Sequence, residues 1–238
     1  MTAGAPDRAS KWDAGPDSDA RRRAVLTAAS GAMHMPLTDA VADRLMAYLA
    51  LMQRWNKVYN LTALRHADEM LSHHLLDCLA VVPALRQHAA GTGKATLRIL
   101  DVGSGGGLPG VVLAAVEPNW QVSCVDAVGK KATFIRQVAA ELRMPNLQGF
   151  HARVETLTPP GAGYDVVTSR AFASLSDFVQ LTRHLLAPSG EWMAMKGRQP
   201  GDELSALPAD IDVFHVEPLL VPGLDAQRCL IWMRRRQD

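Results

Sequence analysis

The stretch LDVGSGGGLPG, Leu100–Gly110, holds five glycines and a proline directly behind an aspartate. Glycine lets backbone bend sharply and lets a ligand approach it closely. The β-rich run LRILDV (97–102) leads into this loop, and a helical pattern starts at about residue 110. Strand, glycine turn and helix in that order form the opening unit of a doubly wound α/β sheet, with a ligand seated at the turn. The plainer reading is a tight turn with no ligand, which does not call for so many glycines.

Outward from the loop the same alternation continues. QVSCVD (121–126), LQGFHA (147–152), YDVVTS (164–169), EWMAMK (191–196), IDVFHV (211–216) and CLIWMR (229–234) read as strands. A helix is expected over about 129–143. The pattern predicts a Rossmann-like, mostly parallel sheet. The last two strands have little between them and are expected to form an antiparallel hairpin at one end. RRR (234–236) reads as a frayed, solvated tail.

Upstream the period changes to that of helices. Leu37, Val41, Leu45, Leu49, Met52 and Trp55 make one apolar stripe, and Leu71, Leu75, Leu79, Val82 and Leu85 make a second. Thr38 or Asp39 is the expected cap of the first. AAGTGKAT (89–96) reads as a linker. It lacks the first glycine of a phosphate loop, because His88 stands there. The expected organisation is a disordered tail over 1–20, a helical extension over 21–90 and an α/β domain over 96–238.

Composition narrows the class. The chain has 238 residues, 48% of them apolar, and a formal net charge of +1. A sizeable core can form. The balance gives no support to broad nonspecific nucleic-acid binding, although it permits a local basic surface. Cys78, Cys124 and Cys229 match no zinc or redox spacing, so no metal is expected and a reducing cytoplasm fits. No apolar run approaches the roughly 18 residues of a membrane span. The N-terminal stretch lacks the apolar segment of a secretory signal.

Gly105, Gly107 and Gly110 satisfy G-x-G-x-x-G, and Asp126 ends the next strand. That pattern alone fits a dinucleotide as readily as S-adenosylmethionine (SAM). Asp101 separates them, because a pyrophosphate on this loop would face a carboxylate at short range. SAM carries a sulfonium and an ammonium, which favour one. Asp126 suits the ribose of either ligand.

The methyl acceptor leaves its own marks. Pyrimidine C5 methylation needs a cysteine nucleophile, and Cys124 and Cys229 lie inside strands. Adenine amino methylation commonly uses an Asn/Asp-Pro-Pro-aromatic turn after the fourth strand; here SRAFAS (169–174) has no proline. Guanine N7 has a free lone pair and no proton to remove, so positioning supplies most of the catalysis. Lys130 and Lys131 open a helix, where its dipole disfavours cations. Either Asp126 or a nucleic-acid phosphate compensates them, or they are simply solvated lysines. Arg153, Arg170 and Lys196 also fall near strand ends, where one sheet edge collects ligands.

Taken together, WNKVYNLTALR (55–65), HLLDCLA (74–80), LDVGSGGGLPG (100–110), VDAVGKKATFI (125–135), ARVETL (152–157), SRAFASL (169–175) and MKG (195–197) carry a resemblance. The chain resembles the RsmG, or glucose-inhibited division protein B (GidB), family of bacterial 16S ribosomal RNA guanine-N7 methyltransferases. The family usually has serine where Cys78 stands.

The resemblance implies a SAM-dependent methyltransferase fold with an N-terminal helical extension. It implies Gly103 and Leu108 in the SAM loop with Gly105 and Asp101, Asp126 on the ribose, and Val154 and Glu155 framing the adenine. Arg170 falls beside the methionine end or the target guanine and is the expected catalytic residue. Lys130, Lys131, Arg153 and Lys196 are the expected RNA contacts. Glu155 reads equally as a surface acid, and Arg170 could instead pair with Asp101 or Asp165. His73 and Asp77 share a helix face, where a structural hydrogen bond is favoured over a metal. Asn56, Lys57, Asn60 and Thr62 are expected to end a helix and dock it on the α/β domain. The implied partner is small-subunit ribosomal RNA or partly assembled 30S subunit, bound by a monomer. Two rival readings are an NAD-dependent oxidoreductase and a non-catalytic SAM-binding assembly factor.

Overall fold

The alternation that begins at residue 97 builds one seven-stranded sheet in the computed structural model, which describes residues 16–170, 172, 174–198 and 201–236. Helices α1 (Pro16–Ala32) and α2 (Asp39–Tyr59) open the described chain. A third helical stretch runs through α3 (Ala67–Met70), a π-helical turn (Leu71–Leu76) and α4 (Asp77–Leu79), and α5 spans Val82–Gly91. Then follow β1 (Arg98–Val102), α6 (Gly110–Val116), β2 (Gln121–Asp126), α7 (Gly129–Glu141), β3 (Leu147–His151) and β4 (Tyr164–Ser169). The chain continues as α8 (Leu175–Thr182), β5 (Leu186–Lys196), α9 (Gly201–Ser205), β6 (Ile211–Pro218) and β7 (Cys229–Arg235).

The strand order is β3-β2-β1-β4-β5-β7-β6. The first five strands are parallel, and β7 runs antiparallel to both β5 and β6. The expected hairpin is therefore present, with its second strand inserted against β5. Order reverses between β1 and β4, so the crevice above their C-terminal ends is the topological switch point where such sheets bind ligands.

The second apolar stripe of the helical extension is buried throughout, and the first is buried at its centre, with Leu37, Val41 and Trp55 only partly covered. Leu45, Leu49, Met52, Leu75, Leu79, Val82 and Leu85 are at most 2% exposed. They join Val112, Leu113, Val122 and Phe134 of the α/β part in one continuous core. Full burial of each such side chain contributes about 1.5–3 kcal/mol. The extension is thus packed onto the sheet's α6–α7 face, while α8 covers the opposite face over a second core. Thr38 is the cap of α2, its side chain accepting from the Val41 N–H.

Three boundaries differ from expectation. The tail assigned to 1–20 lies outside the described residues for 1–15, but 16–20 are helical. Asp19 there pairs with Arg22, which is 2% exposed and also bonded to Asp68. The linker is shorter than expected, because α5 continues to Gly91 and Lys94 is tied to Asp165 at 2.7 Å. RRR is not frayed: Arg234 and Arg235 extend β7, Arg234 pairs with Asp212, and the Arg236 N–H donates to the Asp210 carbonyl. Pairing of Ile211 with Arg235 across β6 and β7 accounts for this order. Among the described residues no helix is long and apolar enough to cross a membrane.

Candidate active site

The glycine loop leaves β1 and turns back into α6 under tight constraint. Gly107 has φ +88°, and a Cβ there would lie 2.5 Å from Val111 Cγ2. Only glycine fits both the backbone and the space. The loop is braced from three sides. From β2, Asp126 accepts from the Gly105 N–H at 2.9 Å and the Val128 N–H at 2.8 Å. From β1, Asp101 accepts from the Gly110 N–H at 2.9 Å. From α2, the fully buried Tyr48 donates its hydroxyl to the Gly106 carbonyl at 2.6 Å.

Asp101 is placed otherwise than the sequence suggested. Its side chain is sealed under the loop with no exposed surface, and its Oδ1 has no protein partner. The carboxylate shapes the turn from behind and does not line the crevice. A tight strand-to-helix turn needs an acceptor for the first helical N–H groups, and Asp101 supplies one.

Two cavities meet at the loop, and both are lined by Gly103. One, of about 180 Å³, is bounded by Gly103, Asp126, Arg153, Val154, Glu155 and Phe172. The other, of about 210 Å³, is bounded by Gly103, Gly105, Leu108, Lys131, His74 and Arg170. The structure therefore groups Gly103, Gly105, Leu108, Asp126, Val154, Glu155, Lys131, Arg153 and Arg170 along one crevice. A Cβ at Gly103 would enter open space, so the crevice approaches bare backbone there. The result is a largely apolar slot with the Asp126 carboxylate at its edge and the cations Lys131, Arg153 and Arg170 along its walls.

The RNA contacts expected from sequence are not all gathered. Lys131 lies 3.8 Å from Asp126, which is the compensation its place at the start of α7 requires. Lys130 is exposed on α7 and lines neither cavity. Lys196 pairs with Glu203 at 2.8 Å and faces a further cavity beyond Arg170.

Arg170 follows β4 and reaches across to the helical extension. It donates to the His73 carbonyl at 2.9 Å and to His74 Nδ1 at 3.2 Å, and pairs with Asp77 at 3.4 Å. Neither Asp101 nor Asp165 is its partner; Lys94 and Arg98 take Asp165. His74 Nδ1 lies 3.1 Å from the His73 carbonyl as well as 3.2 Å from Arg170; an arginine only donates, so the Arg170 contact assigns Nδ1 as acceptor and the ring proton to Nε2, facing Thr62 Oγ1 at 2.8 Å. His73 and Asp77 make no bond to each other: the Asp77 carboxylate and the His73 carbonyl take Arg170, while the His73 ring contacts Ser72 Oγ at 2.9 Å and the Glu69 carbonyl at 3.2 Å. Among the described residues no group of side chains is arranged to hold a metal.

Nothing in the sequence marks the π-helical turn or Tyr48, and His74 reads there only as the neighbour of His73 and Asp77. They sit in a segment that reads as apolar periodicity, and their partners are more than 50 residues away. Only the polar interruption at Asn56–Thr62 signalled it. There Asn60 ends α2 with φ 49°, and Asn56 clamps the turn through Leu64 and Thr62. That clamp presents Thr62 to His74.

Two buried groups at the site titrate in opposite senses. Burial pushes the Asp101 carboxyl up to about 7. The folded state holds that proton more tightly, so this contribution is full below the ordinary carboxylate range and is lost as pH rises through about 7. Burial, then the Arg170 charge, holds the His74 imidazole down at about 4. Its contribution is present above the ordinary histidine pKa and is lost as pH falls through about 4. Between pH 5 and 8 the first effect removes about 2–3 kcal/mol and the second restores about 2 kcal/mol, nearly cancelling. Asp101→Asn deletes only the first. Relative to the parent, its stability in urea denaturation is expected to gain about 2–3 kcal/mol from pH 5 to 8. A difference between variant and parent that does not change with pH would contradict the assignment.

A sheet in this order, with a glycine turn after β1, an acid closing β2 and a crevice at the switch point, defines the SAM-dependent methyltransferase fold. Solved structures agree in fold. TrmN from Thermus thermophilus superposes with a TM-score of 0.51 at 18% identity, over 70% of this chain and 53% of that one. The Burkholderia thailandensis 1,6-didemethyltoxoflavin-N1-methyltransferase, solved with 1,6-didemethyltoxoflavin and S-adenosylhomocysteine, gives 0.51 at 15% identity, covering 85% and 92%. The chain belongs to the rRNA small subunit methyltransferase G family, whose model matches residues 42–231. It is 62% identical to ribosomal RNA small subunit methyltransferase G of Leptothrix cholodnii, over 90% of this chain and 96% of that relative. The relative of the same description from Acidovorax sp. strain JS42 is 56% identical, over 88% and 93%.

Proposed function

We propose that this protein transfers the methyl group of SAM to N7 of a guanine in small-subunit ribosomal RNA. The observation that carries the reading is the crevice. It joins a nucleoside-sized slot beside Asp126 and Val154 to a second cavity walled by Arg170, across a loop of bare backbone. The relatives' description as small-subunit ribosomal RNA methyltransferases supports the RNA acceptor.

SAM supplies an activated methyl on a sulfonium. The chain's own residues bind, orient and exclude water. Asp126 and the backbone at Gly103 and Val154 hold the nucleoside, Leu108 closes the loop side, and Glu155 and Arg153 border the slot. Arg170 and Lys131 orient the acceptor. N7 attack needs no general base, and none is offered: His74 commits its proton to Thr62 and its lone pair to Arg170. A cysteine route is disfavoured. Cys78 and Cys124 are sealed in the core, and burial pushes the Cys229 thiol up, away from the thiolate.

N7 lies on the major-groove edge, which A-form RNA closes to side chains, so the target is an unstacked base. Local cations on a near-neutral chain favour a partly assembled 30S subunit over naked RNA. A monomer acting in the cytoplasm completes the reading. The test is methyl transfer from labelled SAM to 30S particles and to naked 16S RNA, followed by aniline mapping of N7-methylguanine. A single new cleavage site, stronger on particles, is expected. SAM binding without transfer would favour the assembly-factor reading, and NAD binding without SAM binding would end the methyltransferase reading.

A further inference from the structure

Arg170 owes its position to groups outside its own strand, and one of them is itself held from a distance. Asp77 is 3% exposed and takes two arginines: Arg170 Nη1 at 3.4 Å on Oδ2 and Arg228 Nε at 2.7 Å on Oδ1. Arg228 comes from the connection between β6 and β7, and its Nη1 donates to the Gln227 carbonyl at 2.9 Å. The shorter contact is the one to Arg228, so that bond sets the carboxylate's orientation. Both arginines line a cavity of about 250 Å³ with His73, Met195 and Lys196, and Arg170 alone also borders the SAM-side cavity. Arg170 is therefore the wall between the two cavities, and Asp77 is the strut behind it.

The remaining constraints on Arg170 come from the same helical stretch. The π-helical turn presents the His73 carbonyl and His74 Nδ1 beside Asp77. Such turns widen a helix and are common at functional sites. None of these groups fixes the rotation of the Asp77 carboxylate; Arg228 does.

We propose that Arg228 is a positioning residue for methyl transfer: by holding Oδ1 of Asp77 it aims Oδ2 at Arg170 and fixes the guanidinium between the two cavities. The inference rests on the placement of Arg170 at the acceptor given above. Without Arg228 the carboxylate turns, Arg170 follows it, and the acceptor is offered a displaced wall. Displacements of about 1 Å cost on the order of 10- to 100-fold in rate.

The experiment is a kinetic cycle on the full chain, using SAM and 30S particles, with Arg228→Ala, Arg170→Ala and the double variant. Arg228→Ala is expected to lower kcat on the order of tenfold, with SAM affinity unchanged within about twofold. The double variant should be no slower than Arg170→Ala alone, because the two act as one unit. Rate losses that multiply, or a raised KM for particles at unchanged kcat, would make Arg228 an independent RNA contact and overturn the proposal. Should Arg228→Ala fail to fold, Arg228→Lys and Arg228→Gln replace it. The lysine variant, which keeps a cation for Asp77, must then exceed the glutamine variant in kcat, and equality overturns the proposal. If Arg170→Ala transfers methyl normally, the acceptor-side reading of Arg170 fails and this inference falls with it. If Arg170→Ala is inactive while Arg228→Ala is normal, only the inference falls.

Discussion

Arg170→Ala is expected to reduce methyl transfer to 30S particles on the order of 100-fold or more, while the protein stays folded and still binds SAM. The rate effect is large because Arg170 stands between the cavity at the glycine loop and the one it shares with Arg228, and is held there by three groups of the helical extension. Side chains fixed in advance lose no freedom when the acceptor arrives, so their loss is felt in the reaction more than in binding. Folding survives because Asp77 keeps Arg228 at 2.7 Å, so no buried carboxylate is left alone. The variant loses the bonds to His73 and His74, which costs about 1–3 kcal/mol. Single-turnover transfer and SAM titration on the same preparation separate the outcomes. A loss confined to SAM affinity would move Arg170 to the cofactor's methionine end.

The contrast between β1 and Arg170 explains what sequence reveals. Strands β2 and β4 carry their boundaries in plain sight, because buried parallel strands are short apolar runs between turn residues. Gly103, Gly105 and Asp126 could be placed at the crevice for a related reason: glycines at set intervals mark a bare-backbone turn after β1, and β2 ends on Asp126, which lines the crevice. Arg170 could be placed at the crevice by its position after β4, but its partners could not be named. His73, His74 and Asp77 are nearly 100 residues upstream, on a helix whose period reports only burial. Asp101 shows the opposite failure. The sequence sets the Asp101 carboxylate against a cationic ligand, yet side-chain direction in a strand alternates, and sequence alone does not show that this one points beneath the turn, where it accepts from Gly110. Lys196 was drawn to the site by strand position, whereas Glu203 on α9 claims its charge.

Gly110→Ala is expected to destabilise the protein strongly and to weaken its hold on SAM. Gly110 opens α6, and its N–H is the one Asp101 accepts. A Cβ there would lie 2.3 Å from Cys124 Sγ and 3.0 Å from Asp101 Oδ2. Neither neighbour has room to retreat. Cys124 is wholly buried in β2, whose backbone pairs with β1 on one side and β3 on the other. Asp101 is wholly buried in β1. The strain must then lift the start of α6 and take the glycine loop with it. Overpacking of this kind costs about 3 kcal/mol, and the displaced loop should weaken SAM binding on the order of tenfold or more. Cys124→Ala supplies the control. Alone it leaves a small void costing about 1 kcal/mol. Combined with Gly110→Ala it removes the nearest obstacle, so the pair should be more stable than Gly110→Ala by itself and recover part of the SAM affinity. That sign reversal, a destabilising substitution made stabilising by its neighbour, is measurable by urea denaturation of the four proteins. Simple addition of the two losses would mean that the loop is set by something other than the contact between Gly110 and Cys124.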